Sequence, residues 1–181
     1  MVKDNLPEQT VSTRDIYTGK IITVKVSTVE IRDQRYSQRE IVYHPGGSCI
    51  AAVNENNKIV LVKQFRKPIE KFTIELPAGK LELGEDPKEC VKRELFEETG
   101  HILTELRFIK HIYTSPGISN EKLHFYFGKV SPKDEPMQSD DEITEVIEVT
   151  IDEAISMIKS GEITDAKTII GVYWLKVNYF D

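Results

Sequence analysis

The sequence predicts an α/β or α+β sandwich of helices and sheet, and three observations carry that prediction. Short β-rich runs recur along most of the chain, one well-bounded helix interrupts them, and the C-terminal part turns helical. The 181 residues suffice for one domain with a small appendage. A chain of that size buries about 70% of its unfolded surface, so a real core is expected.

From Ile21 to Ile31 the apolar series Val24, Val26, Val29 and Ile31 alternates loosely, which is strand-like. Asp33-Gln34-Arg35 then turns the chain into a second strand, Arg39 to His44, so an N-terminal antiparallel β hairpin is expected. His44-Pro45-Gly46-Gly47 breaks the chain, and residues 1–45 read as a β subdomain ahead of a main domain over 46–181. Three β-rich runs follow, Ser48 to Val53, Ile59 to Phe65 and Phe72 to Leu76, with Asn54-Glu55-Asn56-Asn57 as the first turn. Asp86 can cap a helix with Pro87 at its first position and Gly100 just past its end. Further strands fit Arg107 to Tyr113, Lys122 to Val130 and Thr144 to Val149. Thr150-Ile151-Asp152-Glu153 matches a capping box, and apolar residues at 166, 169, 170, 173, 174 and 177 mark a last helix.

Composition narrows the function. Lys and Arg number 24 against 30 Asp and Glu, a net charge of −6. Each phosphate contact on a long nucleic acid needs a cation, so no nucleic-acid partner is expected. The apolar runs are strand-sized, so no membrane span is expected, and MVKDNLPEQT lacks the apolar run of a signal peptide. A cytoplasmic protein is the expectation. Cys49 and Cys90 are too few for a disulfide framework and read as buried small residues. A small anionic substrate fits the charge if a divalent metal bridges it to acidic side chains.

Glu94, Glu97 and Glu98 stand at i, i+3 and i+4, so three carboxylates share one side of the Asp86–Gly100 helix. They repel one another and lie toward the helix C-terminus, where the macrodipole disfavours anions. A bound divalent cation offsets both costs, and oxygen-only ligands point to a hard ion such as Mg²⁺ or Mn²⁺. From the residues alone a solvated acidic face, helped by Lys88, Lys92 and Arg93, is the alternative. Glu85-Asp86 replace the Lys and Ser/Thr of a P-loop after Gly79 and Gly84. The four histidines lack zinc spacing, and the sequence has neither an EF-hand loop nor a Gly-x-Ser-x-Gly elbow.

Gly79, five residues, Glu85, seven residues, then Arg93-Glu94-Leu95-Phe96-Glu97-Glu98-Thr99-Gly100 resembles the Nudix hydrolase box. His101 departs from it, since an aliphatic or aromatic residue is usual there. The resemblance implies a Nudix-type sandwich, a mixed β-sheet between helices with the box as a loop–helix–loop on one flank. It implies hydrolysis of a nucleoside diphosphate linked to another group. Glu94, Glu97 and Glu98 would ligate two or three Mg²⁺ ions per site (Mn²⁺ possible), with Ala78 lending a backbone carbonyl. Glu97 would also position the water, and Arg93 would brace the carboxylates through Glu85.

Outside the box, QFRKP, ELPAGK, YTSPG and DAKT resemble the ADP-ribose pyrophosphatase branch. That branch implies Arg39 and Arg66 on the adenine or pyrophosphate end, and Gly117 and Glu121, beside Pro116, toward the terminal ribose. It implies a catalytic base from the acidic loop Ser139 to Glu145, where the choice is Glu142, with Glu145 and Glu97 as alternatives. It also implies a homodimer whose N-terminal strands pair and lend substrate contacts. The expected reaction is hydrolysis of ADP-ribose to AMP and ribose 5-phosphate. Another nucleotide sugar, a dinucleotide, a nucleoside triphosphate or a non-catalytic nucleotide sensor are the alternatives.

Overall fold

A computed structural model describes residues 7–31, 34–131 and 145–180. The chain divides into two compact units, Met1–Gly46 with Tyr113–Lys122, and Gly47–Ile112 with Leu123–Asp181.

In the first unit β1 (Gln9–Thr18), β2 (Thr23–Glu30) and β3 (Tyr36–Tyr43) form an antiparallel sheet in that order. The expected hairpin is β2–β3, and β1 is an addition to it. QTVSTRDIYT gives no clear alternation because the strand is exposed at every residue and has no buried face to encode. The segment 113–122 joins this unit through β3. The Val42 N–H donates to the Ile118 carbonyl at 2.8 Å, and the Asn120 N–H donates to the Val42 carbonyl at 3.2 Å.

The second unit is a mixed sheet between helices, as the sequence predicts. Its strands are β4 (Gly47–Asn54), β5 (Ile59–Arg66), β6 (Lys71–Glu75), β7 (Ala78–Lys80), β8 (Ile102–Tyr113), β9 (Lys122–Ser131) and β10 (Glu145–Val149). The main path runs β10-β5-β4-β9-β8, with β6 on β5 and β7 on β4. β4 and β9 are parallel from Gly47↔Leu123 to Asn54↔Val130, while β5 is antiparallel to β4 and β10.

Every residue of β4 is buried, and its period of two divides the core. Cys49, Ala51 and Val53 pack with Leu61, Phe125, Ala154, Val172 and Leu175. Ile50 and Ala52 pack with Val60, Val91, Leu95 and Tyr126. Thus α1 (Pro87–Thr99) covers one face, and α2 (Ile151–Ser160) and α3 (Ala166–Leu175) cover the other. A single turn of π-helix, Lys176–Phe180, extends α3. The capping box on α2 forms as read, Thr150 with Glu153.

Candidate active site

The box helix is fixed at both ends. The Asp86 carboxylate accepts the Lys88 N–H at 2.7 Å, and Gly100 closes the helix in the left-handed conformation, φ 69°. Ser48 Oγ donates to the Pro87 carbonyl at 2.9 Å and ties the start of α1 to β4. With Val91 and Leu95 packed into the sheet, the carboxylates of Glu94 and Glu98 meet the backbone of β7. Glu98 is buried and accepts the Ala78 N–H at 3.1 Å. A Cβ at Gly79 would lie 1.8 Å from Glu94 Cδ, so glycine is what lets that carboxylate seat against the backbone.

Arg93 braces the group as the sequence predicts. Its Nε and NH2 donate to the two Glu85 oxygens at 2.9 and 3.1 Å, and NH1 donates to Glu94 at 2.8 Å and Glu97 at 3.1 Å. The Arg93 bond holds the Glu85 carboxyl below its usual range, and Glu85 in turn raises Arg93. Glu94 moves the other way. Burial pushes its carboxyl up, outweighing the attraction of Arg93, and Glu97 adds to the rise. One guanidinium therefore faces three carboxylates.

This donor set suits a hard divalent cation. It is all oxygen, it carries surplus negative charge, and its Glu94 seat would be filled by any side chain at Gly79. Among the described residues no three acidic, imidazole or thiol side chains are placed to hold an ion between them; Glu94 and Glu97 turn to Arg93, and Glu98 to the Ala78 amide. The structure shows Ala78 acting through its N–H, while the expectation concerned its carbonyl. Cys90, beside this loop, is buried, and burial followed by the Glu85 charge pushes its thiol up to about 11. Burial pushes Cys49 up to about 12, so neither thiol is a nucleophile at neutral pH.

Arg66 lies in the same unit, and its Nε and NH2 both donate to Glu75 at 2.8 Å. Lys167 pairs with Glu75 from the other side and with Asp165 at 3.1 Å. Burial alone would raise the Glu75 carboxyl, yet Arg66, Lys167 and Thr73 together hold it at about 2. No local signal announces this cluster, because Lys167 and Glu75 are 92 residues apart. His101 is buried just past the end of α1, with Nε2 3.4 Å from Glu148, whose carboxylate accepts from Asn54 at 2.8 Å.

Arg39, Gly117 and Glu121 belong to the first unit. Arg39 is paired with Glu8 and lines an open cleft of about 480 Å³ with Glu40, Tyr113, Pro116 and Gly117. The structure thus brings Arg39 and Gly117 together. Glu121 accepts from the Thr114 hydroxyl at 2.6 Å and stands 3.6 Å from His44. Glu142 lies outside the described residues.

Comparison with known proteins agrees with this arrangement. The NUDIX domain family model matches residues 42–170. An ADP-ribose pyrophosphatase of Bacillus subtilis is 42% identical over 96% of this chain and 95% of its own length. A methanol dehydrogenase activator of Bacillus methanolicus is also 42% identical, over 94% and 93%. A GDP-mannose pyrophosphatase of Salmonella typhimurium is 32% identical over 78% and 79%. The NUDIX domain match spans the loop–helix–loop that seats Glu85, Glu94 and Glu97 around Arg93, and the chain belongs to the Nudix family of hydrolases.

Proposed function

We propose that the protein is a Mg²⁺-dependent ADP-ribose pyrophosphatase that yields AMP and ribose 5-phosphate. The observation carrying the reading is the seating of Glu94 and Glu98 against Gly79 and Ala78, with one guanidinium for three carboxylates. When bound, two or three Mg²⁺ ions supply neutralisation of the pyrophosphate and a lower pKa for a water held there. The chain's own part is placement. Glu94, Glu97 and Glu98 offer the oxygens, Arg93 keeps Glu94 and Glu97 from splaying, the Ala78 amide holds Glu98, and Glu85 holds Arg93. In the reaction a water oxygen attacks phosphorus, the bond from phosphorus to the bridging oxygen breaks, and a carboxylate takes the water's proton. Glu142 is our choice for that base.

For ADP-ribose in particular, the support is the Bacillus subtilis relative and the cleft shared by Arg39, Pro116 and Gly117. Arg66, oriented by Glu75, would meet the adenine or pyrophosphate end, and Glu121 would face the terminal ribose. β1, an edge strand exposed along its whole length, is suited to pairing with a second copy, and the reading includes a cytoplasmic homodimer. The Salmonella relative favours a second reading, another nucleotide sugar.

A substrate panel with Mg²⁺ and with EDTA tests the proposal: ADP-ribose, ADP-glucose, GDP-mannose, NADH, diadenosine polyphosphate and dGTP. ADP-ribose should lead, give AMP, and lose turnover in EDTA. A lead for another substrate keeps the box chemistry and removes the specificity argument from Arg39, Arg66 and Pro116. Binding without turnover on every member makes the protein a nucleotide sensor.

A further inference from the structure

Segment 75–79 joins β6 to β7, and one side of it meets the box helix through the Ala78 N–H and Gly79. β4 holds it too, through its pairing with Ala78 and Gly79 and through the Ile50 N–H, which donates to the Pro77 carbonyl at 3.1 Å. Further attachments come from α3, whose face of the sheet is opposite that of α1. The Leu76 N–H donates to Thr168 Oγ1 at 2.8 Å, and both residues are fully buried. The Thr168 hydroxyl donates in turn to the Asp165 carboxylate at 2.6 Å, so the chain of bonds has one direction, from the Leu76 amide through Thr168 to the carboxylate. Asp165 also caps α3 by accepting the Thr168 N–H at 2.9 Å. Lys167 bridges Asp165 and Glu75, the residue just before Leu76. One turn further along α3, a Cβ at Gly171 would lie 2.4 Å from Leu76 Cδ1, so the helix seats directly on that leucine.

Leu76 lies between β6 and β7, where no strand neighbour takes its amide. Thr168 fills that role, and without it a buried N–H would be left unpaired. Two residues later the chain delivers the amide that holds Glu98. Segment 75–79 is thus held by β4 along its C-terminal half and by α3, from the far side of the sheet, at Glu75 and Leu76.

We infer that the first turn of α3, through Thr168 on Leu76 and Lys167 on Glu75, positions the backbone against which Glu94 and Glu98 are placed for a divalent cation. Thr168 and Lys167 are positioning residues that touch neither substrate nor ion. The inference rests on the reading of Glu94 and Glu98 as ion-binding residues.

The test is titration of the intact protein with Mn²⁺ alone, followed by electron paramagnetic resonance, with amide exchange at Ala78 as an independent readout. Thr168→Val keeps the shape and removes the acceptor; it should weaken Mn²⁺ binding by about tenfold or more, as loss of supporting contacts around metal sites does, and speed exchange at Ala78. Thr168→Ser should restore both. Lys167→Met should shift Mn²⁺ binding in the same direction and carries the test if the valine variant does not fold. Val172→Ala, a buried truncation on the same helix outside the clamp, should lower stability and leave Mn²⁺ binding unchanged. Wild-type Mn²⁺ affinity in Thr168→Val and Lys167→Met overturns the inference, as does equal weakening in Val172→Ala. Glu98→Gln separates the two levels. If it binds Mn²⁺ like wild type, the site reading itself fails and the inference with it; if it loses binding while the α3 variants do not, only the inference fails.

Discussion

Glu75, buried, and Glu94, half-buried, each lie beside an arginine, and they respond in opposite ways. Around Glu75 the cations Arg66 and Lys167 answer the carboxylates of Glu75 and Asp165, and the carboxyl is held at about 2. Around Glu94 the single guanidinium of Arg93 answers Glu85, Glu94 and Glu97, and burial pushes the Glu94 carboxyl up. Glu75 is the more deeply buried of the two and still has the lower carboxyl, so the difference lies in the partners: two cations bond Glu75, while one guanidinium is shared among three carboxylates and Lys80 only attracts Glu94 through space. A network whose charges balance serves the fold. A surplus of half-buried carboxylate is a cost that a bound cation removes.

The contrast can be broken most severely at the box helix. Glu98→Gln keeps the Ala78 bond geometry and removes a charge, so turnover should fall about a thousandfold or more, the scale set by several kcal/mol of metal-assisted stabilisation. Steady-state rates on ADP-ribose, with urea melts as a folding control, check this; turnover within tenfold of wild type would remove Glu98 from the site.

Glu75→Gln should act first on stability, besides loosening the Lys167 end of the clamp. It leaves the largely buried Lys167 and the half-exposed Arg66 short of a partner, and breaking the buried Lys167 pair costs on the order of 3 kcal/mol. The pH dependence has a fixed sign. The Glu75 carboxyl falls from 4.5 in the unfolded chain to about 2 in the fold, so its contribution is whole above 4.5 and is lost as pH drops from 4.5 toward 2. Urea melts stepped from pH 7 to pH 3 should show wild type losing stability in that window and Glu75→Gln losing less. Parallel losses would contradict the assignment.

Gly79→Ala sharpens the comparison at the smallest scale. The added Cβ meets the flexible end of Glu94, so the carboxylate is displaced at little cost to folding. Activity should fall about 10–100-fold, as for lost supporting contacts at metal sites, with a nearly unchanged melting temperature. An equal fall in stability would mean that the backbone, not the carboxylate, gives way.

What the sequence announced was local. Asp86, Pro87 and Gly100 bound α1, the i, i+3, i+4 spacing put three glutamates on one side, and Arg93 braces them through Glu85, eight residues away. Cys49 and Cys90 are buried, as read. What it hid was either unpatterned or distant. β1 has no buried face to impose alternation, and three-residue β7 is too short for any period. The clamp of Thr168 on Leu76 and of Lys167 on Glu75 spans 92 residues, so DAKT reads only as a string until the fold brings it to the loop before the box. Segment 113–122 joins the N-terminal unit through Val42 and puts Gly117 in one cleft with Arg39, a contact no spacing encodes.

If the surplus charge on α1 is what a cation completes, Mg²⁺ must stabilise the fold and must do so through those glutamates. Thermal melts in EDTA and across a Mg²⁺ series, at constant ionic strength set with NaCl, measure this. Wild type should rise with Mg²⁺, gaining about 2.7 kcal/mol at a concentration near 100 times Kd, and Glu98→Gln should lose most of that rise. A wild-type melting temperature indifferent to Mg²⁺, or an equal rise in Glu98→Gln, would contradict the account.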